Sequence, residues 1–517
     1  MENEGPTTQP DQPVTTAPAL STVTTPSAPA AKRRSALRRR QVLVGAGLAA
    51  GALGATRVLG LHNLVPGLVG AAPLEGQTIA TKDWTSPLDQ PDAKVGQLLR
   101  RTTFGATRSQ YEAARADGFQ RTVDRLIDTP AALPRELAGA EDATQEKPLN
   151  VAALQTWWID HVLTTPTPFA ERMTFFWHGH FTSDYRKVTT QSPYLYWQDL
   201  TWRKMALGDF RDMVVQVTTD PAMLRYLDLG QSTGKSPNEN YSRELMELFT
   251  MGVGTFAEED VRGAAKALAG WREPITQAMS DYQLKKALER NPKAKAMPVD
   301  SVKTGVFEKT RAFTGPVTFL GESRQWTTEA VVDKILTQDS VAPYIATKVI
   351  REFVTPDPSD DYVKRIAEGF RRSKYDTKTL MRDVLTSPEF LAPTTYRSLV
   401  KSPTEFMLHV ARALDMPSLS KQIAQTGASM GQSLYDPPEV GGWPSNASWV
   451  SSANVLARVN FIVMTLTNLP KTPPFGNAHQ YLIEGTVGPK TADLLNAATD
   501  DQTRWLILLA SPEFQLK

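Results

Sequence analysis

Cysteine is absent from the 517-residue chain. Its absence excludes disulfides, thiolate zinc sites, iron–sulfur clusters and cysteine nucleophiles, so any metal would rest on His, Asp, Glu, Asn or backbone oxygen. Histidine is scarce, at six residues. An excess of either charge is missing too: 57 Lys and Arg against 55 Asp and Glu leave a net +2. Six of those cations cluster at Lys32, Arg33, Arg34, Arg38, Arg39 and Arg40; taking them from +2 leaves −4 for the rest of the chain. Such a balance gives no electrostatic footprint for nucleic acid. Nothing reads as a phosphate loop, a dinucleotide-binding glycine turn or a serine-nucleophile elbow.

The basic cluster reads as an address. Residues 1–37 are rich in Thr, Pro and Ala and poor in large apolar side chains, which predicts a disordered extension. Arg39-Arg40 then precedes a Gly/Ala-rich apolar run over residues 42–55, broken by Arg57. Paired arginines before a weakly hydrophobic stretch are the pattern of a twin-arginine signal, placed at residues 38–72, with Val69-Gly70-Ala71 as a small-residue cleavage site. The run is too short to span a bilayer comfortably, so membrane contact is expected only through an uncleaved signal. The expected location is extracytoplasmic: periplasmic, cell-surface or secreted. That export route carries folded proteins, often with a bound cofactor, which favours a divalent metal.

A linker is expected over residues 73–89 and one large domain over residues 90–517. Apolar residues recur at three- and four-residue spacing over residues 94–103, 119–127, 151–163, 329–336, 342–353, 362–370, 377–385 and 404–414. The fold class is mainly α: a large multi-helix domain with long loops and little or no sheet, its best strand near Val317-Thr318-Phe319-Leu320. A Lys-rich insertion occupies residues 273–303. The phrase Ser-Pro-Glu-Phe ends two helical stretches, at residues 387–390 and 511–514, and reads as one helix ending used twice.

Two tracts carry candidate chemistry. In Ser236-Pro237-Asn238-Glu239-Asn240-Tyr241-Ser242-Arg243-Glu244-Leu245-Met246-Glu247, Ser236, Pro237 and Glu239 predict a capped helix start, and Gly252 a stop. Glu239, Arg243 and Glu247 then line one face as an ordinary ion-pair ladder. The functional reading makes that face a cleft wall, with Arg243 as an orienting cation and Glu244 and Glu247 as general base or ligands. Asn238 and Asn240 would contact a ligand. Asp260, one turn into the next helix, reads as an N-terminal complement to the dipole.

The second tract is Phe176-Trp177-His178-Gly179-His180-Phe181. Gly179 is read as a helix stop, which would let both rings turn to one side as metal ligands; the alternative is two histidines serving a helix end. Later in the chain, Asp436-Pro437-Pro438-Glu439-Val440-Gly441-Gly442-Trp443-Pro444 must be a rigid, non-helical loop. Trp443, with Asn454 and Arg458 on the following helix, offers a binding surface or, alternatively, a core plug.

Arg100-Arg101-Thr102-Thr103-Phe104-Gly105, the His178 and Glu244 tracts, Ala267-Leu268-Ala269-Gly270-Trp271, Thr318-Phe319-Leu320-Gly321 and the Asp436–Pro444 loop occur in a distinctive order. Together they resemble the exported bacterial family named domain of unknown function 1800, over residues 90–517. The resemblance implies a mainly helical fold and no particular activity. It also implies a partner in another exported family, domain of unknown function 1501, which resembles sulfatases. The family's His-Asp pair before Thr-Gly-Pro is replaced here by Arg311-Ala312-Phe313, which puts a metal site in doubt. Two functions follow: a metal-assisted hydrolase with His178 and His180 as ligands, or a non-catalytic binding or assembly protein using the same surface.

Overall fold

The computed structural model describes Ile79, residues 85–144, 147–274 and 303–517, and five positions between 285 and 292. The expected extension, the signal segment, most of the linker and most of the Lys-rich insertion lie outside the described residues.

Twenty-two α-helices, four short 3₁₀ turns, one π segment and two two-stranded antiparallel ribbons make up the regular structure of the described residues. The helices fall where the periodicity places them: Pro91–Thr102, Phe119–Asp128, Val151–Thr164, Thr328–Leu336, Val341–Phe353, Asp360–Arg372, Thr377–Leu385 and Pro403–Ala413. Most bury one stripe and cap their first turn with Ser, Thr, Asp or Asn, as at Asn150, Ser359, Asp376 and Ser402. Pro403–Ala413 is buried at every position and forms the centre of the core. Both Ser-Pro-Glu-Phe phrases end a helix in one way: Ser387 and Ser511 accept a bond from the amide of Phe390 and Phe514. Among the described residues no helix is long and apolar enough to cross a membrane.

The core also holds charge. Arg172 pairs with Glu352 and Glu405, Lys517 with the same two carboxylates, and Arg100 with Glu484. Arg458 belongs to this buried set. It is 3% exposed and donates to the Lys401 carbonyl and Gln515. Its guanidinium therefore serves the fold, not a ligand.

One ribbon pairs Trp271–Arg272 with Val306–Phe307; the other pairs Val317–Phe319 with Glu322–Arg324 across a tight turn. The turn residues Leu320 and Gly321 both have positive φ, at 45° and 75°, as a two-residue hairpin loop requires. Asp260 holds the unusual leucine by accepting its amide at 2.9 Å, and accepts the Ala257 amide at 3.1 Å as a helix cap. Thr255, two residues before the Ala257 cap, donates to the Gly252 carbonyl.

Gly263 on the Glu258–Ala267 helix lets the hairpin sit against that helix: a Cβ there would lie 2.3 Å from the Thr318 carbonyl oxygen. Alanine improves helix propensity by about 1 kcal/mol, whereas forcing two backbones apart costs about 1–3 kcal/mol. We expect Gly263→Ala to lower the stability read from the urea midpoint by up to about 2 kcal/mol; a gain would show that the hairpin is free to shift.

Candidate functional site

The carboxylate helix starts later than its sequence suggests. Ser236 is held in a bridge with Thr233, so Pro237 to Glu239 run outside the helix and the box of Ser236 and Glu239 does not form. Asn238 takes over the cap by accepting the Asn240 amide at 2.9 Å, while its own amide donates to Ser232 at 3.0 Å. Asn240 donates from its side chain to Asp228 at 3.3 Å. Both asparagines thus have local structural work.

One α turn, Asn240–Glu244, widens into a π-helix over Leu245–Thr250 before Gly252, at φ 90°, ends it. The expected uninterrupted α-helix is corrected by bonds that skip one residue further, such as the Met251 amide to the Met246 carbonyl at 2.8 Å. Short π segments are rare and concentrate at functional sites. Here the segment leaves the Leu248 and Phe249 carbonyls to partners from other helices.

Arg243 grips Glu258 through two bonds of 2.8 Å and reaches Glu239 at 3.3 Å. The surface ladder is thus Glu239–Arg243–Glu258, not Glu239–Arg243–Glu247, and Arg243 is committed to it. Glu244 and Glu247 make no ion pair among the described residues and are half-buried. Burial first, then the neighbouring Glu247 charge, holds the Glu244 carboxyl above the ordinary range.

The histidine helix, Pro168–His180, runs straight through Gly179. Gly179 remains helical, so residues two apart project about 200° from each other and the two rings do not converge. His178 faces the Asp-Pro-Pro loop. Its Nε2 accepts the Tyr435 amide at 3.2 Å, and its ring sits 4.9–5.1 Å from Trp158, Tyr435 and Trp443. Burial pushes it down to about 3, so it stays neutral. His180 faces the π segment: Nε2–H donates to the Phe249 carbonyl at 3.0 Å, and Nδ1 accepts from Lys348 at 3.1 Å. Burial, then the Lys348 charge, holds His180 well below its usual value.

Lys348 and Tyr344 lie on the Val341–Phe353 helix. Lys348 Nζ and the Tyr344 hydroxyl both donate to the Leu248 carbonyl, at 3.2 and 2.8 Å. Burial lowers the lysine to about 8; burial and the Glu247 charge raise the tyrosine to about 12. No motif pointed to either residue. Only the pairing of two helices about 100 positions apart brings them to the π segment.

The Asp-Pro-Pro loop closes the other side. Gly442, at φ 92°, approaches Gly179 so closely that a Cβ would lie 2.4 Å from the Gly179 carbonyl oxygen. Thr182 donates to the Val440 carbonyl at 2.7 Å, and Arg186 pairs with Asp436 at 2.7 Å. Trp443 is half-buried, and its indole N–H is sequestered without a partner among the described residues. Asn454 only opens the Ser452–Thr467 helix, donating its amide to Ser451.

Beneath the loop, Tyr435 donates to Asp199 at 3.0 Å; Asp199 pairs with Arg203, and Arg203 with Glu171 at 2.6 Å. Glu171 also accepts from Trp158 at 3.0 Å and faces His161 at 3.3 Å. Nearby, Gln198 links Ser183 to Asp220, whose carboxyl is pushed up to about 7 by burial and has one oxygen without a partner.

The histidine and carboxylate tracts therefore meet, but through the Phe249 carbonyl. Neither Glu244 nor Glu247 pairs with a histidine, and the described residues contain no group of three or more metal-capable side chains. The acceptor nitrogens of both histidines are already used within the chain, so His178 and His180 do not fit a ligand role without losing those bonds. Gly427-Ala428-Ser429-Met430-Gly431, a stretch with G-x-S-x-G spacing, is no elbow: it ends the Ser420–Ser429 helix and Ser429 donates back to Thr426. The strand-to-helix turn that would activate it is missing there.

Replacing Arg203 by Met would leave Glu171 and Asp199 buried without their cation. Breaking such a group from one side costs about 3–5 kcal/mol. We expect a loss of that size in chemical denaturation, with weakened near-ultraviolet dichroism from Trp158 and Tyr435; a loss under about 1 kcal/mol would mean that other contacts hold the loop.

No curated protein and no solved structure matches the chain. A family model described as protein of unknown function (DUF1800) matches residues 97–516, a span that includes the histidine helix, the π segment, Lys348 and the Asp-Pro-Pro loop. The chain belongs to that family.

Proposed function

We propose that this is an exported protein that recognises a polar ligand on the face where residues 176–188, 226–252, 344–348 and 435–443 converge. The observation that carries this reading is the state of the half-buried polar groups there. Glu244, Glu247, Tyr344 and Lys348 border one surface, and neither carboxylate is neutralised by an ion pair. Unpaired, partly desolvated carboxylates are more costly to keep than an ordinary solvated surface, and such groups concentrate at binding and catalytic sites. This is the binding reading of the two that the sequence raises.

A hydrolytic reading has one specific support. Glu244 and Glu247 stand three residues apart, and mutual repulsion raises the carboxyl of Glu244. A carboxyl pair split in this way can supply a proton donor and a proton acceptor. His178 and His180 have no part in that scheme, since both shape the walls.

A crystallographic fragment screen tests the recognition surface without assuming a ligand. Hits are expected against Glu247, Tyr344 and Lys348, and they should vanish in Glu244→Gln/Glu247→Gln, whose stability should stay within about 0.5 kcal/mol of the parent. Hits confined to other surfaces would overturn the assignment. Export has its own test: Arg39→Lys/Arg40→Lys should leave the precursor in the cytoplasm, and unchanged secretion of that variant would rule out the twin-arginine address.

A further inference from the structure

Lys348 has an arrangement that a merely structural lysine does not need. It is half-buried, and no carboxylate pairs with it among the described residues. Its hydrogen bonds go to two neutral acceptors, His180 Nδ1 at 3.1 Å and the Leu248 carbonyl at 3.2 Å. The tautomer of His180 is set from its far side, because Nε2–H is committed to the Phe249 carbonyl at 3.0 Å. Nδ1 is therefore a lone pair aimed at the lysine, and both nitrogens of that ring are in use within the chain.

A neutral amine has two N–H bonds and one lone pair. Two acceptors hold both hydrogens, so the lone pair is left as the free direction of the nitrogen. An ammonium in the same place would have no carboxylate counter-charge among the described residues, only the Tyr344 ring 5.0 Å from Nζ, in a partly desolvated site. The environment therefore shifts the amine toward its nucleophilic form, so that more of it is free base than in an ordinary lysine. A buried carboxylate in place of either acceptor would select the other.

We propose that Lys348 is a nucleophilic amine that forms an imine with the carbonyl group of an aldehyde or ketone ligand entering beside Glu247 and Tyr344. This rests on the recognition reading above, and adds the bond and the ligand class. In the reaction the Nζ lone pair forms the bond to the carbonyl carbon and the C=O π pair moves to oxygen. Both amine hydrogens leave with that oxygen as water, and C=N remains. No oxidant or reductant enters the balance. His180 is a positioning residue: held neutral, it orients the amine and does not itself take the proton.

The charge state of the amine supports the same assignment, since burial lowers it to about 8. The groups facing it are His180 from the histidine helix, the Leu248 carbonyl from the π segment, and Tyr344 from its own helix, with Glu247 acting on the Tyr344 hydroxyl. The neighbouring helices Thr328–Leu336, Asp360–Arg372 and Thr377–Leu385 give Nζ no charged partner among the described residues. Near neutral pH such an amine has roughly 100-fold more free base than an ordinary lysine. Lower basicity takes back about tenfold in nucleophilicity, if amines follow the slope known for thiols, which leaves about a tenfold advantage.

The test is reductive trapping of the full-length folded protein with glycolaldehyde and cyanoborohydride, followed by peptide mapping. Lys348 should be modified about tenfold faster than the exposed Lys235 and Lys471 at pH 7.5, with a rate that rises through about pH 8. In Lys348→Arg the fast-labelled peptide should disappear while the others keep their rates. His180→Gln should slow the labelling and move its midpoint toward that of ordinary lysine, a change that a purely packing role would not produce. Labelling of Lys348 no faster than that of Lys235 would overturn the proposal. Fragment hits on the cleft together with slow labelling would overturn the imine alone; fast labelling with no hits on the cleft would instead overturn the recognition surface.

Discussion

The guanidinium of Arg203 lies wholly inside the protein between the carboxylates of Glu171 and Asp199, and three distant stretches of chain depend on that placement. Glu171 fixes the start of the histidine helix, Asp199 holds the Tyr435 hydroxyl, and the Tyr435 amide holds His178. Burying ions costs several kcal/mol each, and the mutual attraction offsets this only when the remaining bonds are satisfied. Trp158 and Tyr435 supply those bonds. Such a group adds little net stability over an apolar core. What it adds is a fixed place for the loop, because the Asp199 oxygen that Arg203 leaves over accepts the Tyr435 hydroxyl.

On the opposite side of the histidine helix the constraint is one of hydrogen bonding. The π segment exposes carbonyls at its end, and a helix end leaves its last carbonyls without internal partners. Tyr344, Lys348 and His180 fill that role together. The chemistry of the site is thus a by-product of closing a helix. The same bonds that satisfy the Leu248 and Phe249 carbonyls set the tautomer of His180 and the direction of the lysine amine.

Much of the fold was legible because helical periodicity and capping are local. The eight helices expected from spacing occur with shifts of a few residues, and the short strand at Val317 pairs as a hairpin. The errors cluster where a local signal had a tertiary competitor. Ser236 and Glu239 spell a capping box, yet the Thr233 bridge removes Ser236 from the helix and Asn238 takes the cap. Gly179 looks like a stop, yet the helix runs through it to His180, and it is Gly442 that must be small where it packs against the Gly179 carbonyl. Arg458 looks like a surface group on a polar helix face, yet the C-terminal residues cover it.

The sequence by itself determined the fold class, the absence of thiol chemistry and the ordered motifs that place the chain in its family. These follow from composition and from spacings of three and four residues, which need no knowledge of the other end of the chain. Only the tertiary structure decided what the tracts do. It sent His178 and His180 to opposite sides of one helix, committed Arg243 to Glu258, and brought Lys348 to the carbonyls of a π segment 100 residues away. The reason is that a side chain's chemistry is set by the groups within about 4 Å of it, and here those groups come from elements that no local pattern links.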